Sequence, residues 1–192
     1  MSIFQQQREQ TRRQILDTAI MLFRQNGYDS VSMEQITKTV GIAKGTFYNF
    51  FSSKKEIIML WAEQEFQKLD LKAAVHPGQS VQENLFRLVE NIVDAIESQG
   101  QLFASFLQEL IHGYDNNKAE EKFDFLAIFS TVMQISNDFE RISVNFEEKA
   151  IILNNAMFLA VIDWFKLGKP VSGLTKHLQR VISICLFGMI SR

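Results

Sequence analysis

A run of helix signals between residues 27 and 57 restricts this part of the chain to a small set of local structures. Gly27 follows an amphipathic segment and Gly41 separates two short ones, so both glycines stand where helices are expected to end. Ser32 is followed three residues later by Gln35, which is the spacing of a capping box at the start of a helix. The pattern predicts two short helices joined by a tight turn.

The rest of the chain also carries helical signals. Two prolines and nine glycines in 192 residues leave long stretches uninterrupted, and apolar residues recur at helical spacing. The strongest loop signal in the middle of the chain is His76-Pro77-Gly78. We predict an all-α fold whose first glutamine-rich residues fray, with further helices at about 8–25, 43–50, 54–72, 81–98, 101–112, 118–137, 147–167 and 172–190.

The distribution of charge is more informative than its total. The chain has a formal net charge of −2 and is 22% charged, which is ordinary for a globular protein. Residues 1–55, however, carry eight basic side chains against four acidic ones, whereas the remainder carries an excess of six negative charges. A basic N-terminal unit on an acidic body is the asymmetry expected when one end of a protein binds phosphate groups.

Several classes of protein fit the sequence poorly. The single cysteine, Cys185, excludes an intrachain disulfide and lies in an apolar run, so we expect a small buried hydrophobe in a reducing, cytoplasmic location. We expect no signal peptide, because a polar, glutamine-rich segment follows Met1. The apolar stretch 150–167 contains Asp163 and Lys166, which are costly inside a bilayer, so we predict no membrane span.

Catalytic and metal-binding patterns are not discernible either. His76, His112 and His177 have no nearby acid, cysteine or second histidine at ligand spacing. No Ser-His-Asp set, paired carboxylates or glycine-rich phosphate loop stands out. We therefore predict neither a metal site nor an enzyme, and no cofactor.

The segment 32–51 meets the physical requirements of a helix-turn-helix. Gly41 supplies the residue that tolerates positive φ in the turn. Lys44 and Gly45 lie at the start of the second helix, where a basic group reaches a base edge or a phosphate and a glycine permits close approach. Tyr48 lies one turn further on, and Lys54 begins the following helix. Such a unit places one helix in the major groove while its flanks bind the DNA backbone.

This segment resembles the DNA-binding domain of the TetR family of transcriptional regulators. The likeness covers about 50 residues and includes the preceding helix with Arg12, Leu16 and Phe23. The matching residues are Gly27-Tyr28, Ser32, the run Gly41-Ile42-Ala43-Lys44-Gly45-Thr46-Phe47-Tyr48-Asn49-Phe50-Phe51, and Ser53-Lys54-Lys55-Glu56-Ile57.

The resemblance implies particular contacts with DNA. Thr46, Tyr48 and Lys54 correspond to phosphate-contacting positions. Ala43 stands where the family usually has serine, and Phe50 where it has histidine or tyrosine. Lys44 and Asn49 lie at positions that vary in the family and often contact bases. The resemblance and the residue chemistry together predict the DNA-binding residues Ser32, Lys44, Gly45, Thr46, Tyr48, Asn49 and Lys54.

The remainder of the chain is rich in phenylalanine and matches the family in length and helical content. We predict a DNA-binding domain at 9–69 and a helical ligand-binding and dimerisation domain at 70–192. Ligand pockets are mostly apolar with a few polar groups, although an aromatic stripe at helical spacing is more often ordinary core. The predicted lining residues are Trp61, Phe66, Phe86, Phe103, Phe106, His112, Phe129, Met133, Asn154 and Phe158.

The last two predicted helices are apolar nearly all round, which requires cover on two sides. We expect one side to pack on the body and the other on a second copy, giving a four-helix dimer interface of the TetR type. Two-fold symmetry would place the two reading helices roughly 34–36 Å apart, about one turn of DNA. The predicted interface residues are Met157, Val161, Trp164, Leu178, Val181, Ile182, Cys185, Leu186 and Met189.

The sequence and the resemblance therefore predict a homodimeric, TetR-like transcriptional repressor. Its predicted partners are a palindromic double-stranded DNA operator and a small apolar inducer that releases the protein from DNA. The alternative is a helical ligand- or protein-binding module whose DNA-binding head has degenerated, a reading favoured by Ala43 and Phe50.

Overall fold

The structure is a computed structural model that describes residues 2–69, 75–115, 126–136, 138 and 146–189. Within these ranges the chain is all-α, as predicted, and contains no strand. A short 3-10 turn at Val171–Gly173 precedes the last helix. The helices are α1 (Ile3–Asn26), α2 (Met33–Val40), α3 (Lys44–Tyr48), α4 (Lys54–Gln67), α5 (Val81–Gln99), α6 (Gln101–Asp115), α7 (Leu126–Ile135), α8 (Phe146–Lys166) and α9 (Leu174–Met189).

The first helix is longer than the sequence analysis predicts. The expectation that the glutamine-rich start frays is wrong, because α1 begins at Ile3. The Ser2 hydroxyl accepts a hydrogen bond from the backbone N–H of Gln5, and the Gln5 side chain accepts one from the Ser2 N–H. This capping box satisfies two amide groups at the helix start and so extends α1 by about one and a half turns.

The helix predicted at 54–72 ends at Gln67, since residues 68 and 69 form a turn and a bend, and residues 70–72 of the prediction lie outside the described ranges. The same holds for the first part of the helix predicted at 118–137, of which Leu126–Ile135 is described. None of the helices in the described part of the chain combines the length and the hydropathy that a bilayer crossing requires.

The chain divides into two compact units. The first comprises Met1–Phe66 and Gln99–Leu110, and the second comprises Gln67–Ser98 and Ile111–Arg192. The first unit therefore includes residues of α6 as well as the four N-terminal helices. The predicted domain boundary at residue 69 stays a prediction.

The first unit is organised around side chains that are removed from water. Ile15 of α1, Ile36 of α2, Phe47 of α3 and Ile57 of α4 are all completely buried. Burying a side chain of this size contributes about 1.5–3 kcal/mol. Since α2 and α3 are too short to be stable alone, this shared core fixes their positions, and α2 packs on both α1 and α3.

The second unit contains a packed helical core, in which α8 contacts both α7 and α9. Its only completely buried amide side chain among the described residues is Asn84 of α5. That side chain accepts a hydrogen bond from the His76 N–H and donates to the His76 carbonyl and to the Ser136 hydroxyl. The network ties the loop before α5 to the end of α7.

Candidate nucleic-acid interface

The turn between α2 and α3 has the geometry that the sequence predicts. Ser32 caps α2, since its hydroxyl accepts a hydrogen bond from the Gln35 N–H while the Gln35 side chain accepts one from the Ser32 N–H. Gly41 ends α2 in the left-handed region, with φ of 82° and ψ of 31°, and its N–H donates to the carbonyl of Thr37. A side chain at this position would strain the backbone, so glycine sets the angle at which the chain enters α3.

The short helix α3 has a buried face and an exposed face. Phe47 is completely buried and packs against Phe51 at a centroid distance of 6.1 Å. The neighbouring Tyr48 is half exposed, and Lys44 and Asn49 are exposed. The helix is therefore held from below by an aromatic anchor while polar groups project outward.

The predicted DNA-binding residues are accessible to different degrees. The structure contains no nucleic acid, so their contacts stay predictions. Of the seven, two are half-buried, Thr46 and Lys54, and five are exposed, namely Ser32, Lys44, Gly45, Tyr48 and Asn49.

The Lys44 ammonium group is paired with a carboxylate. Its Nζ lies 2.5 Å from Oε1 of Glu34, so the two residues bridge α2 and α3 across the turn. The hydrogen bond from Lys44 lowers the pKa of Glu34, and the same bond raises the pKa of Lys44. Both side chains are well exposed, so the pair contributes little stability and a phosphate or a base edge would compete with Glu34 for the ammonium. The sequence analysis did not identify Glu34.

The Lys54 side chain turns inward in this structure. Its Nζ donates to the backbone carbonyls of Tyr28 and Val31, each at 2.8 Å, and lies 4.6 Å from the centre of the Tyr28 ring. Two of its three N–H donors are therefore used within the protein. Lys54 holds the loop between α1 and α2 against the start of α4, a structural role that the phosphate-contact prediction did not include.

Two consecutive serines cap the start of α4. The Ser53 hydroxyl accepts a hydrogen bond from the Glu56 N–H. The Glu56 carboxylate, however, accepts hydrogen bonds from the N–H and hydroxyl of Ser52 rather than from Ser53. The box is therefore split over two consecutive serines.

Two arginines of α1 lie over aromatic rings that follow α3, and the sequence analysis did not place them at the interface. The Arg8 guanidinium carbon is 5.9 Å from the centre of the Phe50 ring, and that of Arg12 is 5.2 Å from the centre of the Phe51 ring. Their spacing of four residues on α1 puts both on one face of the helix. Local sequence gives no signal for such pairs, because the partners are about forty residues apart.

Tyr28 connects the loop after α1 to α6. Its hydroxyl donates to the Glu109 carboxylate at 2.8 Å. Burial of the ring raises the pKa of Tyr28 far above its ordinary value, and the neighbouring Glu109 carboxylate adds to the effect. The phenol consequently stays protonated and remains a donor to Glu109 over the whole physiological pH range.

The residues predicted to line a ligand pocket fall in both compact units, and the pocket itself stays a prediction. Phe66 contacts Phe103 edge to face at 6.1 Å, and Phe103 lies 5.2 Å from Phe106. His112 is exposed. The first unit contains Trp61, Phe66, Phe103 and Phe106, and the second contains Phe86, His112, Phe129, Met133, Asn154 and Phe158.

The dimer interface stays a prediction, although four of its nine predicted residues are buried within the single chain. The structure buries Met157, Leu178, Ile182 and Leu186 within the single chain, so these residues have no surface to offer a second copy. Val161, Trp164, Val181 and Cys185 are half-buried, and the Met189 side chain lies outside the described residues. The exposed apolar residues of the two helices are instead Ile151, Ile152, Leu159, Ile184 and Phe187.

Comparison with known proteins places residues 15–59 in the family model described as bacterial regulatory proteins of the TetR family. The matched span contains α2, α3 and the turn between them. The HTH-type transcriptional repressor KstR of Rhodococcus jostii is 27% identical over 89 residues, which cover 46% of this chain and 42% of KstR. The transcriptional regulator AcrR of Shigella flexneri is 33% identical over 97 residues, covering 48% of this chain and 43% of AcrR. The alignments thus span less than half the length of these relatives.

A solved structure extends the likeness to the whole fold. The crystal structure of Thermus thermophilus FadR, a TetR-family transcriptional repressor in complex with lauroyl-CoA, superposes with a TM-score of 0.70. It covers 94% of this chain and 96% of FadR at 20% sequence identity. At that identity the likeness establishes the shared fold and leaves the ligand open.

Proposed function

We propose that this chain, a member of the TetR family of bacterial regulatory proteins, is a transcriptional repressor that binds a palindromic DNA operator as a dimer. The observation that supports this most directly is the exposed face of α3. Lys44, Tyr48 and Asn49 project from a helix that Phe47 anchors in the core, after a turn fixed by Gly41. Such a helix fits the major groove with its polar groups toward the bases and the backbone.

The dimer would form through the exposed apolar faces of α8 and α9. Phe187 is 80% exposed and Ile184 67%, and Ile152 of α8 is 56% exposed. Large apolar side chains grouped on a helix face mark an interaction surface. An isologous pairing of these faces would remove them from water. It would give α8 and α9, which are apolar on nearly all sides, a second surface to pack against. The proposal includes the cytoplasmic location predicted from the sequence, since an operator-binding protein works where the chromosome is.

A small apolar ligand would control the affinity for DNA. In the first unit, Phe66, Phe103 and Phe106 form a chain of ring contacts. The buried Trp61 indole N–H has no hydrogen-bond partner among the described residues. An apolar ligand carrying one acceptor would suit these groups, since an unsatisfied buried donor costs about 1–3 kcal/mol. Lauroyl-CoA is the first probe to use, because FadR binds it on the same fold.

Helix α6 would transmit the effect of ligand binding to α2 and α3. Its residues 101–110 belong to the first unit and residues 111–115 to the second. The Tyr28–Glu109 hydrogen bond joins α6 to the loop before α2, and Lys54 holds that same loop. A ligand with different affinities for two placements of α6 would favour one placement. That movement would shift the loop and, with it, α2 and α3. Without such differential affinity the ligand would shift nothing.

Selection of bound sequences from a random DNA pool, at two salt concentrations, tests the repressor proposal. We expect a palindrome with half-sites about one turn apart that persists at the higher salt concentration. Recovery of no consensus, with binding that vanishes at moderate salt, would contradict the proposal. That outcome would favour the helical binding module with a degenerate head, which Ala43 and Phe50 make the second candidate.

Addition of lauroyl-CoA and a panel of other apolar compounds to the operator complex tests ligand control. We expect at least one compound to weaken DNA binding by a factor that saturates with its concentration. The Tyr28→Phe variant should still bind that compound but should release DNA less completely. Tight binding of compounds with no change in DNA affinity would contradict the release mechanism.

A further inference from the structure

A cleft beside α3 is lined mostly by residues that are not among the predicted DNA contacts, Asn49 being the exception. Its volume is about 490 Å³, and it lies between the first turns of α1 and the end of α3. Two guanidinium groups and one carboxylate line it, so its charged groups sum to a positive excess. The lining residues are Gln5, Arg8, Glu9, Arg12, Asn49 and Phe50.

Both arginines of the cleft lie over aromatic rings. The guanidinium carbon of Arg8 is 5.9 Å from the centre of the Phe50 ring, and that of Arg12 is 5.2 Å from the centre of the Phe51 ring. A cation over a ring is attracted by the π-electrons and keeps its N–H groups available as hydrogen-bond donors. Within the described residues neither guanidinium has a hydrogen-bond or ion-pair partner. Two such groups one helical turn apart match the oxygens of a phosphate, which arginine binds with paired N–H donors.

The position of the cleft relates it to DNA rather than to a separate anion. Asn49, one of its walls, is a predicted base-contacting residue, and Phe50 follows it directly. A helix inserted in the major groove has a phosphate backbone on each side. The end of α3 therefore faces one of these backbones, and the cleft lies at that end.

On this basis we infer that Arg8 and Arg12 bind a backbone phosphate beside the major groove, and that Phe50 holds Arg8 in place for this contact. The inference depends on the proposed DNA-binding function and adds a phosphate contact made by α1 to it. It also gives a role to Phe50, which has no polar atom of its own for DNA. In this chain the guanidinium over the ring supplies the charge next to the recognition helix.

Salt dependence of operator affinity tests the inference with full-length protein and the selected operator. Each phosphate neutralised contributes about 0.9 to the slope of log affinity against log salt. The dimer would lose one phosphate contact on each half-site, so the double variant Arg8→Ala with Arg12→Ala should lower the magnitude of the slope by about 1.8. Arg8→Ala and Arg12→Ala alone should each lower it by a part of that amount. Phe50→Leu should weaken binding while both arginines remain. Arg13→Ala is the matched control, since Arg13 is exposed on another face of α1 and pairs with Asp17.

Neutral methylphosphonate groups, placed one at a time in the operator, identify the phosphate. A methylphosphonate at one position in each half-site should weaken DNA binding by the wild type but not by Arg8→Ala. If Arg8→Ala and Arg12→Ala behave like Arg13→Ala while the wild type reads a palindrome, the inference is overturned and the proposed function stands. If the wild type binds no operator, both are overturned. Circular dichroism of each variant verifies that α1 is intact.

Discussion

At the scale of single residues, the protein itself partly neutralises the positive charge on the exposed face of α3. Glu34 pairs with Lys44 and places a carboxylate beside the predicted DNA surface. We predict that Glu34→Gln raises the affinity for DNA, because it releases the ammonium and removes repulsion with phosphate. Fluorescence anisotropy titrations would measure the change. Asp94→Asn, which removes the same charge from an exposed position on α5, is the control, and equal effects of the two changes would contradict the prediction.

Lys54 allows a second prediction at this scale. Replacement by alanine removes the charged donor from the carbonyls of Tyr28 and Val31, and hydrogen bonds to a charged group are worth about 1.5–3 kcal/mol. Lys54→Ala should therefore lower the free energy of unfolding by about that amount, measured by urea denaturation. Lys38→Ala, at an exposed position on α2, should change it little. A variant as stable as the wild type, with a flatter salt slope, would assign Lys54 to phosphate binding alone.

The residue scale also shows where sequence reasoning stops. Ser32 and Gly41 could be assigned from sequence because their roles depend on neighbours three or four positions away. The roles of Lys54 and Arg8 depend on partners 23 to 42 residues away, which only the fold brings together. The same limit applies to Glu34, whose partner lies across the turn.

At the scale of elements, the junction between α8 and α9 depends on a glycine. The Trp164 ring stacks on His177 at 4.8 Å, and its N–H donates to the Pro170 carbonyl. A Cβ on Gly173 would lie 2.7 Å from the ring. We predict that Gly173→Ala destabilises this junction, since the ring is held on both sides and cannot withdraw.

Tryptophan fluorescence during urea denaturation would measure that effect. Gly173→Ala should unfold at a lower urea concentration and show a shifted emission maximum in the folded state. Gly45→Ala is the control, because its added methyl group meets no atom within 4 Å. An unchanged midpoint for Gly173→Ala would show that the ring can move at no cost.

The elements also explain why four predicted interface residues are buried within the chain. The sequence locates α8 and α9 nearly to the residue, because their ends carry clear signals. Their apolar residues surround the helix, however, so the pattern contains no indication of which side faces inward. Only the packing of α8 on α7 and α9 decides that Ile182 is buried and Ile184 exposed.

At the scale of the whole molecule, the exposed apolar faces predict the oligomeric state. Phe187→Ser combined with Ile184→Ser should convert a dimer into a monomer, because it removes the largest exposed apolar groups of α9. Sedimentation velocity would show the change in mass. Leu167→Ser is the control, since Leu167 is 69% exposed but lies in the turn after α8. A variant that stays dimeric would place the interface elsewhere.

Whether this protein reads a DNA sequence is decided by measuring the affinities of the wild type and of Lys44→Ala for single-base variants of the selected operator. We predict that the wild type prefers the operator over a shuffled duplex by on the order of 10³ or more. Lys44→Ala should lose discrimination at one position in each half-site and keep it elsewhere. Equal wild-type affinity for both duplexes would contradict operator reading. A uniform loss in Lys44→Ala would contradict base contact by this residue.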